Sequence, residues 1–370
     1  MRLLLFMHSL GGGGAERVAV TLVNRWAEMG WEVSLATLAS AEHDRYQLHP
    51  EIHRVALDLA GESTGPVGAI MANARRILAL RRLLRRERPD VAVAMMTIAG
   101  VLLAVAGTGL RISLIGSERT YPPSQPLPRV WKLLRAWAYG HLSVVVAPTE
   151  GIRRWLLKHT AARHVEVIPN PIVWPLPVQS PVESPAGVGR PGNKRLLAVG
   201  RLAVEKRYDV LIEIFAGLAP RFPDWDLVIV GEGPERHRLE RQIDVLGLGS
   251  RVALPGYVGN LGEWYGSADL YALTSSREGF PNTLLEALAY GVPAVSVDCE
   301  TGPRDILRPE VDGMLVPPQD NAALSSALAR LMGDSCAREA FAIHAVEAGT
   351  RFALEQVGAR WDQVLHRLRR

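Results

Sequence analysis

Four short segments of this sequence place charged side chains and glycines where they could handle an anionic, hydroxyl-rich ligand. The most informative is Glu278-Gly-Phe-Pro-Asn-Thr-Leu-Leu-Glu286. Pro281 suits the first position of a helix, where its missing N–H has no intrahelical partner to lose. The N–H groups of Asn282, Thr283 and Leu284 would then form a helix N-terminus, whose dipole and open donors attract an anion. Glu278 precedes the helix and can reach over a bound ligand. Glu286, just past the first turn, can accept from hydroxyls such as a ribose diol. Two solvated surface acids are the alternative, although a Glu followed by Gly-Phe-Pro fits that poorly.

The second segment is Gly200-Arg-Leu-Ala-Val-Glu-Lys206, where Arg201 and Lys206 suit a diphosphate, Arg by forked hydrogen bonds and Lys as a point charge. A surface ion pair with Glu205 is the plainer explanation. The third, Gly231-Glu-Gly-Pro234, is read equally as a nucleotide approach or as a tight strand-to-helix turn. The fourth, His8-Ser-Leu-Gly-Gly-Gly-Gly-Ala-Glu-Arg17, lets the backbone come close to a ligand at Gly13 and Gly14. It fails the G-x-G-x-x-G dinucleotide pattern and lacks the Gly-Lys-Ser/Thr of a Walker loop, so a flexible turn stays open. His8, at the strand end, is either structural or a ligand contact.

These segments need strands to carry them. Apolar runs predict strands over 2–7, 32–38, 52–57, 91–94, 111–116, 143–147 and 165–168, separated by helical patterns such as 15–29. That alternation implies a parallel, doubly wound α/β sheet with its ligand crevice at the carboxyl ends of the strands. Residues 171–194 then hold a run of prolines with little periodicity, which predicts a semi-rigid linker. The rhythm restarts with strands over 195–200, 226–231, 252–254, 270–274, 293–297 and 313–316. The expected organisation is therefore a first Rossmann-like domain over 1–170, a linker over 171–194, a second over 195–350, and a helix over 351–370 crossing back to the first. The two domains would face one another across a cleft.

Composition limits the function classes. The 370 residues are 48% hydrophobic and 22% charged, ample for two cores, and the chain is neither disordered nor coiled coil. With two cysteines, Cys299 and Cys336, there is neither a disulfide framework nor zinc spacing, which fits a cytoplasmic protein. The uncharged run 91–110 has the length of a membrane span, but its alanines and glycines favour a buried strand followed by a buried helix. No signal peptide is expected at the start. Residues 1–170 carry 21 bases against 13 acids, a net +8, and the remainder −4. The first half should face something anionic.

Gly200-Arg201…Lys206, Gly231-Glu-Gly and the Glu278/Glu286 pair, in that order, resemble the retaining glycosyltransferases of family 4, which have the GT-B fold. Gly-Gly-Ala-Glu-Arg17 and Ser117-Glu-Arg119 narrow the resemblance to bacterial transferases that extend polyprenyl-diphosphate-linked saccharides with GalNAc or a hexose. The resemblance implies that Arg201 and Lys206 bind the donor diphosphate, Glu278 the transferred sugar and Glu286 the ribose. Gly200, Gly231 and Phe280 to Thr283 would line the donor site, and Val258 to Leu261 would hold the uracil. Glu118 joins Glu278, Arg201 and Lys206 as a catalytic candidate. Members of this group often carry His where Arg119 stands, so that His is absent.

The resemblance also assigns an acceptor. Around 66–88 run Arg75, Arg76, Arg81, Arg82, Arg85, Arg86 and Arg88. A helical wheel puts Ile70, Ile77, Leu80 and Leu84 on the core side, with Arg75, Arg82 and Arg86 opposite. Such a face suits a membrane surface or, as in related enzymes, the acceptor's diphosphate. Arg119 is placed with it. Residues 129–139, with Arg129, Lys132, Arg135, Trp131 and Trp137, are open to two readings, core or a second membrane contact. The expected reaction transfers a sugar from a UDP-sugar to a lipid-diphosphate-linked saccharide, at the inner face of the cytoplasmic membrane, without cofactor or metal. Asp224-Trp-Asp226 precedes its strand and is an accidental match to a metal motif. Two rivals are a nucleotide-sugar 2-epimerase and a non-catalytic nucleotide-sugar-binding subunit. Nucleic acid is disfavoured, because the arginines lack stacking aromatics.

Overall fold

Leu3, Leu4, Leu5 and Phe6 are all buried in β1 (Arg2–Met7), a run without alternation, as expected of a parallel strand covered on both faces. The structure is a computed structural model, and it describes residues 1–61 and 65–369. The chain divides into two units: Met1–Pro171 with Val357–Arg370, and Ile172–Gln356.

The first unit is built on a seven-stranded parallel sheet. β1 is followed by β2 (Glu32–Thr37), β3 (His53–Ala56), β4 (Val91–Met95), β5 (Ser113–Ser117), β6 (Val144–Ala147) and β7 (Val165–Val167), in the order β3-β2-β1-β4-β5-β6-β7. The chain leaves β1 in one direction and returns on its other side at β4. The carboxyl ends of β1 and β4 therefore flank the switch point at which α/β sheets bind ligands. The uncharged run divides as expected into β4 and the helix Thr97–Gly107. Among the described residues no helix is long and apolar enough to cross a membrane.

The second unit repeats the plan with β8 (Lys194–Val199), β9 (Trp225–Val230), β10 (Val252–Gly256), β11 (Leu270–Leu273), β12 (Ala294–Val297) and β13 (Gly313–Val316). All are parallel, in the order β10-β9-β8-β11-β12-β13. Its switch point lies between β8 and β11. Phe215, Trp225, Leu227 and Ile229 anchor one face of the sheet, and Val228, Trp264, Tyr271 and Leu284 the other.

The proline-rich stretch is not a free spacer. Ile172 and Leu176 are buried in the second core, and Trp174 packs on Tyr290 with ring centroids 4.1 Å apart. The Gln179 N–H donates to the Gly259 carbonyl at 3.0 Å, and the Gly259 N–H donates to that of Pro181 at 2.7 Å. Prolines forbid regular pairing, but every other residue keeps donors and acceptors to place, and here the wall of the second unit takes them. The terminal helix, Leu354–Leu368, places Asp362 in the first unit, where it accepts from both Arg25 Nη atoms (2.9 and 2.7 Å) and from Trp26 Nε1 (3.0 Å).

Candidate functional site

In the second unit, the loops after β8, β9 and β11 meet at the switch point. Those after β8 and β9 pack backbone to backbone. A Cβ on Gly231 would lie 1.9 Å from the Gly200 carbonyl oxygen, and one on Gly233 2.3 Å from that of Leu202. The Leu202 N–H donates to Glu232 and the Glu235 N–H to Leu202, both at 3.0 Å. This close approach accounts for Gly231 and Gly233 without a ligand, so the tight-turn reading is sufficient for them. Gly200 has Tyr208 Oη and Lys206 Cε against the place where its own Cβ would stand.

The loop after β11 is stitched to that after β8. Thr274 Oγ1 donates to the Lys206 carbonyl at 2.7 Å, and the Ser276 N–H to that of Glu205 at 2.8 Å. Lys206 does not pair with Glu205. Its Nζ stands 2.6 Å from Glu278 Oε1, with both side chains largely buried. Thr301 Oγ1 holds the other end of Glu278 by donating to its carbonyl at 2.7 Å. Arg201 is exposed and has no hydrogen bond or ion pair among the described residues. One cation is thus held by a carboxylate and the other stands open beside it.

The helix that follows is Asn282–Ala289, with Pro281 as its N-cap, one place earlier than expected. The Leu284 N–H donates to the Pro281 carbonyl at 3.1 Å, so Leu284 drops out of the groups expected to face an anion. Thr283 Oγ1 accepts from Tyr271 Oη at 2.8 Å. Glu286 is buried, and its Oε2 accepts from Tyr265 Oη at 3.0 Å. The Phe280 ring packs edge-on to Phe352 in the core and is turned away from solvent. Val258 is a core residue, and Leu261 opens the short helix Leu261–Gly266.

Burial sets the protonation of the groups around the pair. It raises the Tyr208 and Tyr271 hydroxyls, with the Glu278 charge adding to both. Cys299 is pushed up to about 12, first by burial and then by Glu278, so it remains a thiol and is no nucleophile. Asp226 is spent on structure, accepting from Arg190, Asn193 and Arg251. Among the described residues no three His, Cys, Asp or Glu side chains cluster as a metal site.

In the first unit, Gly13 caps the helix Gly14–Glu28. Its N–H donates to Tyr46 Oη at 3.1 Å, and the same hydroxyl donates back to its carbonyl at 3.0 Å. Neither residue type nor spacing points to Tyr46, which sits in an aperiodic stretch. At the end of β5, Glu118 is wholly buried. It accepts from Thr97 Oγ1 at 2.9 Å and from Tyr139 Oη, and its carboxyl is raised by burial against the pull of Tyr139 and Arg135. Glu118, expected among the catalytic groups, is thus enclosed here and held by Thr97 and Tyr139. Arg119 is also buried, with Nη1 2.5 Å from Asn170 Oδ1 and its guanidinium 5.6 Å over the Trp361 ring. Burial lowers it to about 9, still cationic at neutral pH.

The basic helix is Gly65–Glu87. Leu80 and Leu84 are buried and Ile77 half-buried, but Ile70 is 70% exposed, because the buried positions of this helix all lie in its second half. Arg75 and Arg82 are exposed. Arg86 is exposed too, but it is paired with Glu87 at 2.9 Å. Arg81 is structural, donating to the carbonyls of Ala106 and Thr108, both at 2.7 Å.

Residues 12–173 match the family model described as Glycosyltransferase Family 4, and residues 183–348 match Glycosyl transferases group 1. The chain belongs to the glycosyltransferases of the GT-B fold. It is a transferase enzyme. It is 26% identical to the GalNAc-alpha-(1->4)-GalNAc-alpha-(1->3)-diNAcBac-PP-undecaprenol alpha-1,4-N-acetyl-D-galactosaminyltransferase of Campylobacter jejuni, over 99% of this chain and 98% of that protein. It is 35% identical to an exopolysaccharide phosphotransferase of Streptomyces coelicolor, a match that spans 78% of this chain but only 30% of that protein. Its fold is that of HepE from Anabaena, solved in complex with UDP, at a TM-score of 0.80 and 19% identity, covering 99% of this chain and 100% of that one.

Proposed function

We propose that this glycosyltransferase moves a HexNAc or hexose from a UDP-sugar to a polyprenyl-diphosphate-linked saccharide, with retention at the anomeric carbon. It would work without a metal, at the inner face of the cytoplasmic membrane. The Lys206–Glu278 pair at the switch point of the second sheet carries this reading. The reaction is limited by departure of a nucleoside diphosphate on which negative charge grows. A diphosphate entering beside Arg201 displaces Glu278 as the partner of Lys206, and both cations then stabilise the leaving group. Glu278, released from Lys206, turns its carboxylate to the hydroxyls and developing positive charge of the sugar. Glu286 takes the ribose, exchanging its Tyr265 bond for one to the diol. The UDP complex of HepE and the undecaprenol-linked substrate in the Campylobacter enzyme's name support the choice of donor and acceptor. The exposed cations Arg75 and Arg82 of the Gly65–Glu87 helix suit an acceptor diphosphate.

The test is a panel of UDP-sugars offered with and without short polyprenyl-diphosphate saccharides, read by mass spectrometry, with product anomers assigned by NMR. One donor should be consumed only when acceptor is present, giving a product of unchanged anomeric configuration. Conversion of a donor without acceptor would make the enzyme an epimerase and end the proposal, as would an inverted linkage.

A further inference from the structure

The helix Arg129–Ala138 turns an apolar arc outward. At 100° per residue, Val130, Leu133 and Trp137 fall on one arc, and they are 58%, 71% and 51% exposed. The opposite arc is turned inward and carries Arg135, buried, with its guanidinium 4.7 Å over the Trp155 ring. Core packing accounts for Trp131, Ala138 and Arg135 on the inner side but not for the exposed arc, so that arc has another use. Arg129 borders it and Lys132 lies farther round, both exposed.

This helix packs against Thr97–Gly107, and so does Gly65–Glu87. The latter continues the pattern, since its outer stripe runs Val67, Met71, Leu78 and then Arg82. The charge of this layer has one sign. From Val91 to Thr149 the only acidic side chain is Glu118, which is buried, and Gly65–Glu87 has no acid before its last residue. Exposed apolar groups interspersed with cations, and no opposing exposed carboxylate, complement an anionic lipid surface. A tryptophan on the apolar arc suits the headgroup boundary, where its ring is buried and its N–H stays hydrated.

We infer that Arg129–Ala138 inserts its Val130–Leu133–Trp137 arc into an anionic bilayer, with Gly65–Glu87 lying alongside as the electrostatic contact. A lipid-linked acceptor gives this docking its purpose, so the choice of a membrane as occupant rests on the function proposed above. The test uses the full chain with vesicles of phosphatidylcholine, with or without phosphatidylglycerol and free of any polyprenyl lipid. It therefore reads docking alone, and failure of the acceptor assignment would show separately, in the transfer assay. The protein should sediment with the anionic vesicles and release in high salt, and brominated lipid should quench an emission component that W137F lacks. The double variant L133E/W137E should bind at least about tenfold more weakly at an unchanged melting temperature. Equal sedimentation of variant and parent would overturn the inference. So would a parent that ignores vesicles but forms a dimer dispersed by the same substitutions, because a second copy would then cover the arc.

Discussion

Lys206 stands 2.6 Å from a single carboxylate oxygen of Glu278, and that contact concentrates the chemistry of the second unit into two side chains. If Lys206 holds the leaving group as proposed, Lys206→Ala removes that contact and strands a largely buried Glu278. The kcat should fall about 10²- to 10³-fold with the fold retained, read by steady-state kinetics beside a thermal melt. Asp226 shows the other use of charge. Burial alone would raise its carboxyl, but the hydrogen bonds from Arg190 and Asn193 outweigh it and hold it below the usual range. A depressed carboxylate adds stability above its unfolded pKa, near 3.8, and loses it as pH falls through the folded value. Asp226→Asn should therefore cost about 2 kcal/mol at pH 7, with the difference closing in acid, as read by denaturant midpoints across pH. As candidates, Glu286, Glu278 and Lys206 were legible from residue type and spacing, although the Lys206–Glu278 contact was not. The Glu118 network was not, because Thr97 and Tyr139 reach it from 21 residues away on either side.

Elements were easier to read than contacts. Strands such as Arg2–Met7 and Gly313–Val316 fall where the apolar runs put them, since a strand buried on both faces announces itself by composition. The docked proline-rich stretch was illegible, because proline spacing says where a ladder cannot form and nothing about a wall such as Gly259 that accepts the backbone instead. Ile70 misled for a related reason: periodicity finds a stripe but not how far along the helix it is buried. Backbone packs closely where β8 and β9 end. Gly231→Ala places a Cβ 1.9 Å from the Gly200 oxygen, with backbone on both sides and nothing flexible to yield. It should destabilise the second unit by about 3 kcal/mol or more, or prevent folding, read by the yield and melting temperature of the variant.

Over the whole molecule, charge is divided as labour. Residues 1–170 carry a net +8 and the remainder −4, a division that favours an anionic partner for the first half. If Arg201 and Lys206 do the work that a divalent ion does elsewhere, dialysis against EDTA should leave the transfer rate unchanged, measured with and without added magnesium. The central claim is that the second unit holds the donor at the ends of β8 and β11. A crystal structure of the enzyme with UDP tests it most directly. The account predicts phosphate oxygens within about 3 Å of Lys206 Nζ and ribose hydroxyls on the Glu286 carboxylate, with the Lys206–Glu278 contact opened. A nucleotide bound elsewhere, with that ion pair intact, would contradict it.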